Sequence, residues 1–174
     1  MTLMIDLQII QNLSQWTGEP SALNSADLRL AAAVIAEGGA IRGTIEQITA
    51  RLANAHWLTV LRDERSDQIV GVAALKNPNS QYRRDTFSHA KVSLDGYENA
   101  KELGYVVVAA DWQGKGLAER LIERIISEIR QPVYATTDNP KMIGKLHRAG
   151  LRQVGSAWRG QRGRLSLWVG LPRN

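Results

Sequence analysis

The segment that most constrains this chain is residues 102–130, ELGYVVVAADWQGKGLAERLIERIISEIR, where an apolar run passes through a short glycine-bearing turn into a helix-periodic stretch. The valine run of ELGYVVVAA (102–110) predicts a buried strand, because β-branched side chains fit a pleated surface. Beyond Gly116, apolar residues stand at 117, 118, 121, 122, 125, 126 and 129, on one face of an amphipathic helix. Between strand and helix, DWQGKGLA (111–118) supplies glycines that let the backbone approach a ligand. A helix that begins there has unpaired amide donors and roughly half a positive charge at its first turn, which suits a pyrophosphate, and Lys115 can add a charge. Neither the P-loop pattern nor the G-x-G-x-x-G dinucleotide pattern occurs, so both of those nucleotide folds are set aside.

The remainder alternates in the same way. Asn24 or Ser25 can cap a helix that runs to Gly38-Gly39, and Thr44 with Gln47 forms a capping box for a second helix ending near Asn54. WLTVLR (57–62) and IVGVAALK (69–76) read as an antiparallel hairpin, and the polar stretch from Asn77 to Lys101 as a long loop. PVYATT (132–137) predicts another strand, Asn139-Pro140 opens a helix that stops at Gly150, and 151–160 with 163–171 make two strands around a Gly-rich turn. IDLQIIQ (5–11) is a candidate first strand. With 174 residues at roughly 150 per domain, the chain reads as a single domain with a mixed α/β sheet.

Composition excludes several chemistries. There is no cysteine, hence no thiol nucleophile, disulfide or Cys-ligated metal, and His56, His89 and His147 lack metal-ligand spacing, so no metal site is expected. No apolar run approaches the twenty or so residues that span a bilayer, and the N-terminus has no leader pattern, which predicts a cytoplasmic protein without a membrane partner. The net charge of +5 is lopsided: the last 36 residues carry +8 and the first 138 carry −3. Such asymmetry suits an anionic ligand, whether a phosphate-rich cofactor, an acidic substrate or nucleic acid, and equally a solvated basic surface.

Gln113, Gly116 and Ala118 match [Q/R]-x-x-G-x-[G/A], the pattern between the fourth strand and third helix of the GNAT superfamily of N-acetyltransferases, and the order of elements around them also resembles that family. The resemblance implies a mostly antiparallel sheet flanked by helices, with a splayed central strand pair. It also implies acetyl-CoA, or another acyl-CoA, as co-substrate. The pyrophosphate would lie on the amides of Gln113, Gly114, Lys115, Gly116, Leu117 and Ala118, and the pantetheine along Val106, Val107 and Val108. An amide of that strand would face the thioester oxygen, a donor placed where negative charge develops. Asn139 matches a position that contacts the pantetheine arm, although a plain helix cap explains it as well.

Attack on a thioester needs a neutral amine, so a base or a water chain must take its proton. Glu102, eleven residues before Gln113, stands where the family often places such a glutamate; the alternative is a charged strand end facing solvent. His89 is a reserve, since its intrinsic pKa suits the task. The family's tyrosine general acid lies four residues before the glycine that ends the fourth helix, and here that residue is Leu146. His147 and Tyr134 are the candidate substitutes. Arg159, Arg162 and Arg164, with Trp158 and Trp168 nearby, could clamp a carboxylate or phosphate on the acceptor, grip RNA, or form a solvated hairpin. Two functions follow: an acyl-CoA-dependent N-acetyltransferase acting on an amine of a small molecule or protein, as monomer or homodimer; or an acyl-CoA-sensing or RNA-binding module with little catalysis.

Overall fold

A computed structural model of the chain describes residues 12–171. A seven-stranded sheet runs in the order β1-β2-β3-β4-β5-β7-β6, with β1 Leu13–Gly18, β2 Trp57–Asp63, β3 Gln68–Lys76, β4 Lys101–Val108, β5 Val133–Thr137, β6 Arg152–Arg159 and β7 Arg164–Gly170. Every neighbouring pair is antiparallel except β4 and β5, which run parallel. Five α-helices flank it: α1 Ser25–Glu37, α2 Ile45–Ala53, α3 Ser80–His89, α4 Leu117–Ser127 and α5 Pro140–Arg148. The expected mixed sheet flanked by helices is therefore the observed one.

Local chemistry sets the helix boundaries. Asn24 caps α1 by accepting from the Asp27 amide at 2.7 Å. Thr44 and Gln47 bond each other's main-chain amides at 3.3 and 3.0 Å, the reciprocal box that fixes the start of α2. α4 buries Leu117, Leu121, Ile122, Ile125 and Ile126, the stripe visible in the sequence, against β2, β3 and β4. α1 and α2 cover the other face, where Ile35, Ile48 and Leu52 pack on Leu58, Val72 and Ala74. No helix among the described residues is long and apolar enough to cross a membrane.

One expectation changes, and one falls outside the described residues. The stretch 77–101 is not a continuous loop, for it contains α3, capped by Asn79 on the Tyr82 amide. Its period is hidden because one of its three buried residues, beside Thr86 and Phe87, is Arg83. That guanidinium donates to the carbonyls of Ala100 (3.1 Å), Pro78 (3.0 Å) and Glu98, so it staples the segment after the helix back onto it. The candidate strand 5–11 lies outside the described residues; the first described strand is β1, whose polar LSQWTG gave no period-2 signal.

Two irregularities of β4 shape the site. On its β5 side only Lys101↔Val133 and Glu102↔Tyr134 are paired, after which the strands part. On its β3 side, Val72↔Val107 and Ala74↔Gly104 leave two residues, Tyr105 and Val106, opposite the single Ala73. Tyr105 takes φ +52°, a left-handed conformation that costs a non-glycine residue about 1–3 kcal/mol and persists only where its surroundings impose it.

Candidate active site

Where β4 and β5 part, two cavities of ≈430 and ≈470 Å³ open, and both are lined by Ala40, Val106, Val107, Asn139 and Met142. They are the two halves of one groove. Its size falls in the range of small-molecule sites.

The turn between β4 and α4 forms the wall of one half. Gly114 and Gly116 hold φ +78° and +74°, and a Cβ added at either would meet nothing within 4 Å, so glycine is required for the backbone path and not for space. Gln113 ties the turn down by donating from Nε2 to the Val108 carbonyl at 3.0 Å. The first helical bond of α4 runs from the Arg120 amide to the Gly116 carbonyl at 3.1 Å, so the amides of Leu117, Ala118 and Glu119 have no intrahelical acceptor. Gln113, Gly114, Gly116, Leu117 and Ala118 all line this half. Lys115 does not; it lines a separate hollow with Asp63, Arg65 and Asp111. Along the same wall, Val106, Val107 and Val108 present the β4 edge that β5 has left. Asn139 caps α5 on the Lys141 amide at 3.0 Å and also lines both halves, so its cap role and its contact with the groove coexist.

The other half ends in charge. Lys76, Glu102 and Tyr134 are cross-strand partners on β3, β4 and β5 and form a row across the sheet. The Glu102 carboxylate, 6% exposed, accepts from Lys76 Nζ at 2.9 Å, and the Tyr82 hydroxyl of α3 stands 3.4 Å from its other oxygen. Burial pulls the Lys76 ammonium down, but the attraction and hydrogen bond of Glu102 outweigh it, and the group is held above its ordinary value. Burial and the neighbouring Glu102 charge push the Tyr82 phenol up. Glu102 is thus not a solvent-facing strand end: it lines the cavity together with Lys76, Tyr82, Tyr105, Asp138 and Arg162.

The remaining candidates are dispersed. Leu146, 1% exposed, presents its side chain to the groove at the position expected for a tyrosine. Tyr134 is fully buried against Phe87, its hydroxyl has no hydrogen-bond partner among the described residues, and burial first, then Glu102, drive its pKa far upward. His147 is exposed on α5 and His89 stacks on Trp158; neither is among the residues lining the groove. Of the arginine cluster only Arg162 reaches the cavity, while Trp168 is buried and bonds Ser166.

Lys76, Tyr82 and Tyr105 went unpredicted, as did Gly38 and Ala40, which follow α1 and line the half of the groove that the glycine turn walls. Only Lys76 had a sequence signal, a charge closing an otherwise apolar strand.

The sequence matches the model of the GNAT family of acetyltransferases over residues 24–150. The chain belongs to that family. No curated protein matches it. Among solved structures, an acyl-CoA N-acyltransferase from Pseudomonas aeruginosa aligns at 13% identity and TM-score 0.64, over 90% of this chain and 98% of the other. The ribosomal-protein-S5-alanine acetyltransferase of Vibrio fischeri aligns at 16% identity and TM-score 0.62, over 92% and 93%. A spermidine N-acetyltransferase chimera from Vibrio cholerae and hSSAT aligns at 19% identity and TM-score 0.62, over 92% and 96%. At these identities the likeness is one of fold. Membership of the GNAT family brings acetyl-CoA or another acyl-CoA as co-substrate, and the glycine turn, free amides and open β4 edge fit such a group.

Proposed function

We propose that the chain is an N-acetyltransferase that moves an acetyl group from acetyl-CoA to an amine of a small molecule or protein by direct attack. One observation carries this reading: a single groove runs from the free amides at the start of α4, along the unpaired edge of β4, to the buried carboxylate of Glu102.

In this reading the amides of Gly114 and Gly116–Ala118 hold the pyrophosphate, as a helix N-terminus holds anions, whereas the Gln113 amide expected to join them already donates to the Ala110 carbonyl at 3.3 Å; Val106–Val108 pair with the pantetheine as with an added strand. A β4 amide at the Tyr105–Val106 bulge faces the thioester oxygen; one such donor is typically worth about 3 kcal/mol in the transition state. Glu102 accepts the amine proton. Tyr134 and His147 remain the side chains proposed for the return of a proton to sulfur, but burial disfavours the first and exposure the second. Leu146 itself offers the thiolate no proton, so sulfur takes one from the Glu102 that has just accepted it or from water; a thiol's ordinary pKa of about 8.5 makes it a tolerable leaving group. The polar lining beyond Glu102, with Asp138 and Arg162, is where acceptor choice is expressed.

The test is acetyl-CoA-dependent thermal stabilisation together with release of free CoA thiol across an amine panel. Gly116→Glu, which places a carboxylate where the pyrophosphate lies and a side chain at φ +74°, is expected to abolish both. No stabilisation by any acyl-CoA overturns the reading. Leu146 favours a second reading, an acyl-CoA-binding module without turnover, for which stabilisation would persist and no amine would release thiol. Its nucleic-acid form is weakened because Lys145 and Arg148 of the basic C-terminal segment are both committed to Glu119.

A further inference from the structure

Lys76 stands where an acceptor amine is wanted. It lines the same cavity as Gly104–Val107, the stretch of β4 that has left β5. The side chain crosses directly over Gly104: a Cβ built there would lie 2.8 Å from Lys76 Cε and 3.2 Å from Nζ, so glycine at 104 makes room for it. The ammonium sits 5.1 Å from the Tyr105 ring centroid, beside the strained residue that opens the bulge. A carboxylate able to take its proton is 2.9 Å away. A primary amine, a base and the unpaired strand edge are therefore already assembled before any acceptor arrives.

We propose that Lys76 is a self-acetylation site: given acetyl-CoA, the chain transfers one acetyl group to its own Lys76 Nζ. The inference rests on the proposed placement of the acyl group along β4. In the resting protein Lys76 is charged and unreactive. Covering the pair with the pantetheine arm would strip water from it, and loss of water favours the neutral amine and carboxylic acid over the ion pair. Lys76 then gives one proton to Glu102, and its lone pair attacks the thioester carbonyl carbon. The C–N bond forms, the C–S bond breaks, and the electron pair leaves on sulfur. Glu102 returns its proton to the thiolate, and the second ammonium proton passes to water. Thioester and ammonium become amide, free CoA thiol and one released proton, with the Glu102 carboxylate restored. The amide carries no charge, so Glu102 loses its ion-pair partner and the acceptor half is filled. Self-acetylation thus stops transfer to external amines.

The experiment incubates the full chain with acetyl-CoA and follows intact mass and peptide-mapped acetylation over time, beside the Glu102→Gln and Lys76→Arg variants and the urea-unfolded chain. The expected result is one acetyl group at Lys76, ahead of the exposed Lys91 and Lys141, and falling turnover on amines in step with it. Glu102→Gln is expected to slow the modification about a hundredfold. Lys76→Arg keeps a cation for Glu102 and cannot be acylated, so it should show no early mass gain. Modification of Lys91 or Lys141 with Lys76 untouched, or an equal rate in the unfolded chain, overturns the proposal. Thermal stabilisation by acetyl-CoA with Lys76 unmodified sinks this inference alone, whereas no stabilisation sinks the cofactor reading and this inference with it.

Discussion

Replacing Tyr134 by phenylalanine separates a structural role from a chemical one, because the structure gives the two opposite signs. The phenol ring is fully buried, packed edge-on against Phe87 at 5.5 Å between ring centroids, and its hydroxyl has no partner among the described residues. A buried polar group without a partner costs about 1–3 kcal/mol of desolvation, while the ring contacts survive the substitution. Tyr134→Phe should therefore leave stability unchanged or raise it, by about 1 kcal/mol at the low end of that range. For a chain of this length each kcal/mol moves Tm by roughly 2–4 °C. Thermal and urea unfolding measure that term, and CoA release with a competent amine measures the other. Since burial and the adjacent Glu102 charge hold the phenol far above its ordinary pKa, it yields its proton reluctantly, and kcat/KM should change less than about threefold. Destabilisation beyond about 1 kcal/mol would show that the hydroxyl has a partner and refute the argument. A stable variant with turnover reduced a hundredfold or more would instead make Tyr134 the acid that Leu146 is not.

Three further outcomes follow from named contacts. Arg83→Ala removes a buried guanidinium from three carbonyls and should cost about 2–4 kcal/mol in urea unfolding; a loss under 1 kcal/mol would mean that residues 90–100 hold without the staple. Glu119 lines the glycine-turn half of the groove and accepts from Lys145 at 2.7 Å and Arg148 at 2.8 Å. Glu119→Gln should lower stability by about 0.5–1 kcal/mol yet tighten acetyl-CoA binding severalfold at low salt, because two cations lose their counter-charge; calorimetric titration showing weaker binding would contradict it. Lys76 is held above a lysine's ordinary value of 10.5, so its ion pair contributes fully below that pH and is lost as the pH rises through the folded value. Lys76→Met should therefore cost about 3–5 kcal/mol at neutral pH, where Glu102 is left buried and unpaired, and less above pH 10.5; a gap that widens with alkalinity would reverse the sign.

The half of the groove walled by the glycine turn was legible in the sequence because its geometry is local. Gln113, the two left-handed glycines and the first turn of α4 lie within eight residues, and main-chain amides need only a backbone path that glycines announce. The acceptor half was not, because it is assembled by register: Lys76, Glu102 and Tyr134 meet across three strands, and Tyr82 reaches them from a helix whose buried face includes an arginine. Tyr105 carries no sequence mark of its left-handed backbone, since residues of its type rarely adopt it. Its conformation comes from the bulge, which is a property of the paired strands.

The Lys76–Glu102 pair and the leucine at position 146 bear on the same question. A carboxylate held by an ammonium at 2.9 Å is a poor base until something weakens that hold, and Leu146 has no proton to give a departing sulfur. Both features make the resting site slow, and both are relieved by one event, the exclusion of water as the groove is covered. Desolvation raises the cost of keeping two opposite charges apart from solvent and moves the shared proton toward Glu102. The protonated Glu102 then becomes the acid that the groove otherwise lacks. On this argument one carboxyl group serves as base and then as acid, so Glu102→Gln should lower kcat about a hundredfold while acetyl-CoA affinity stays near normal in calorimetric titration; an unchanged kcat would remove Glu102 from both steps.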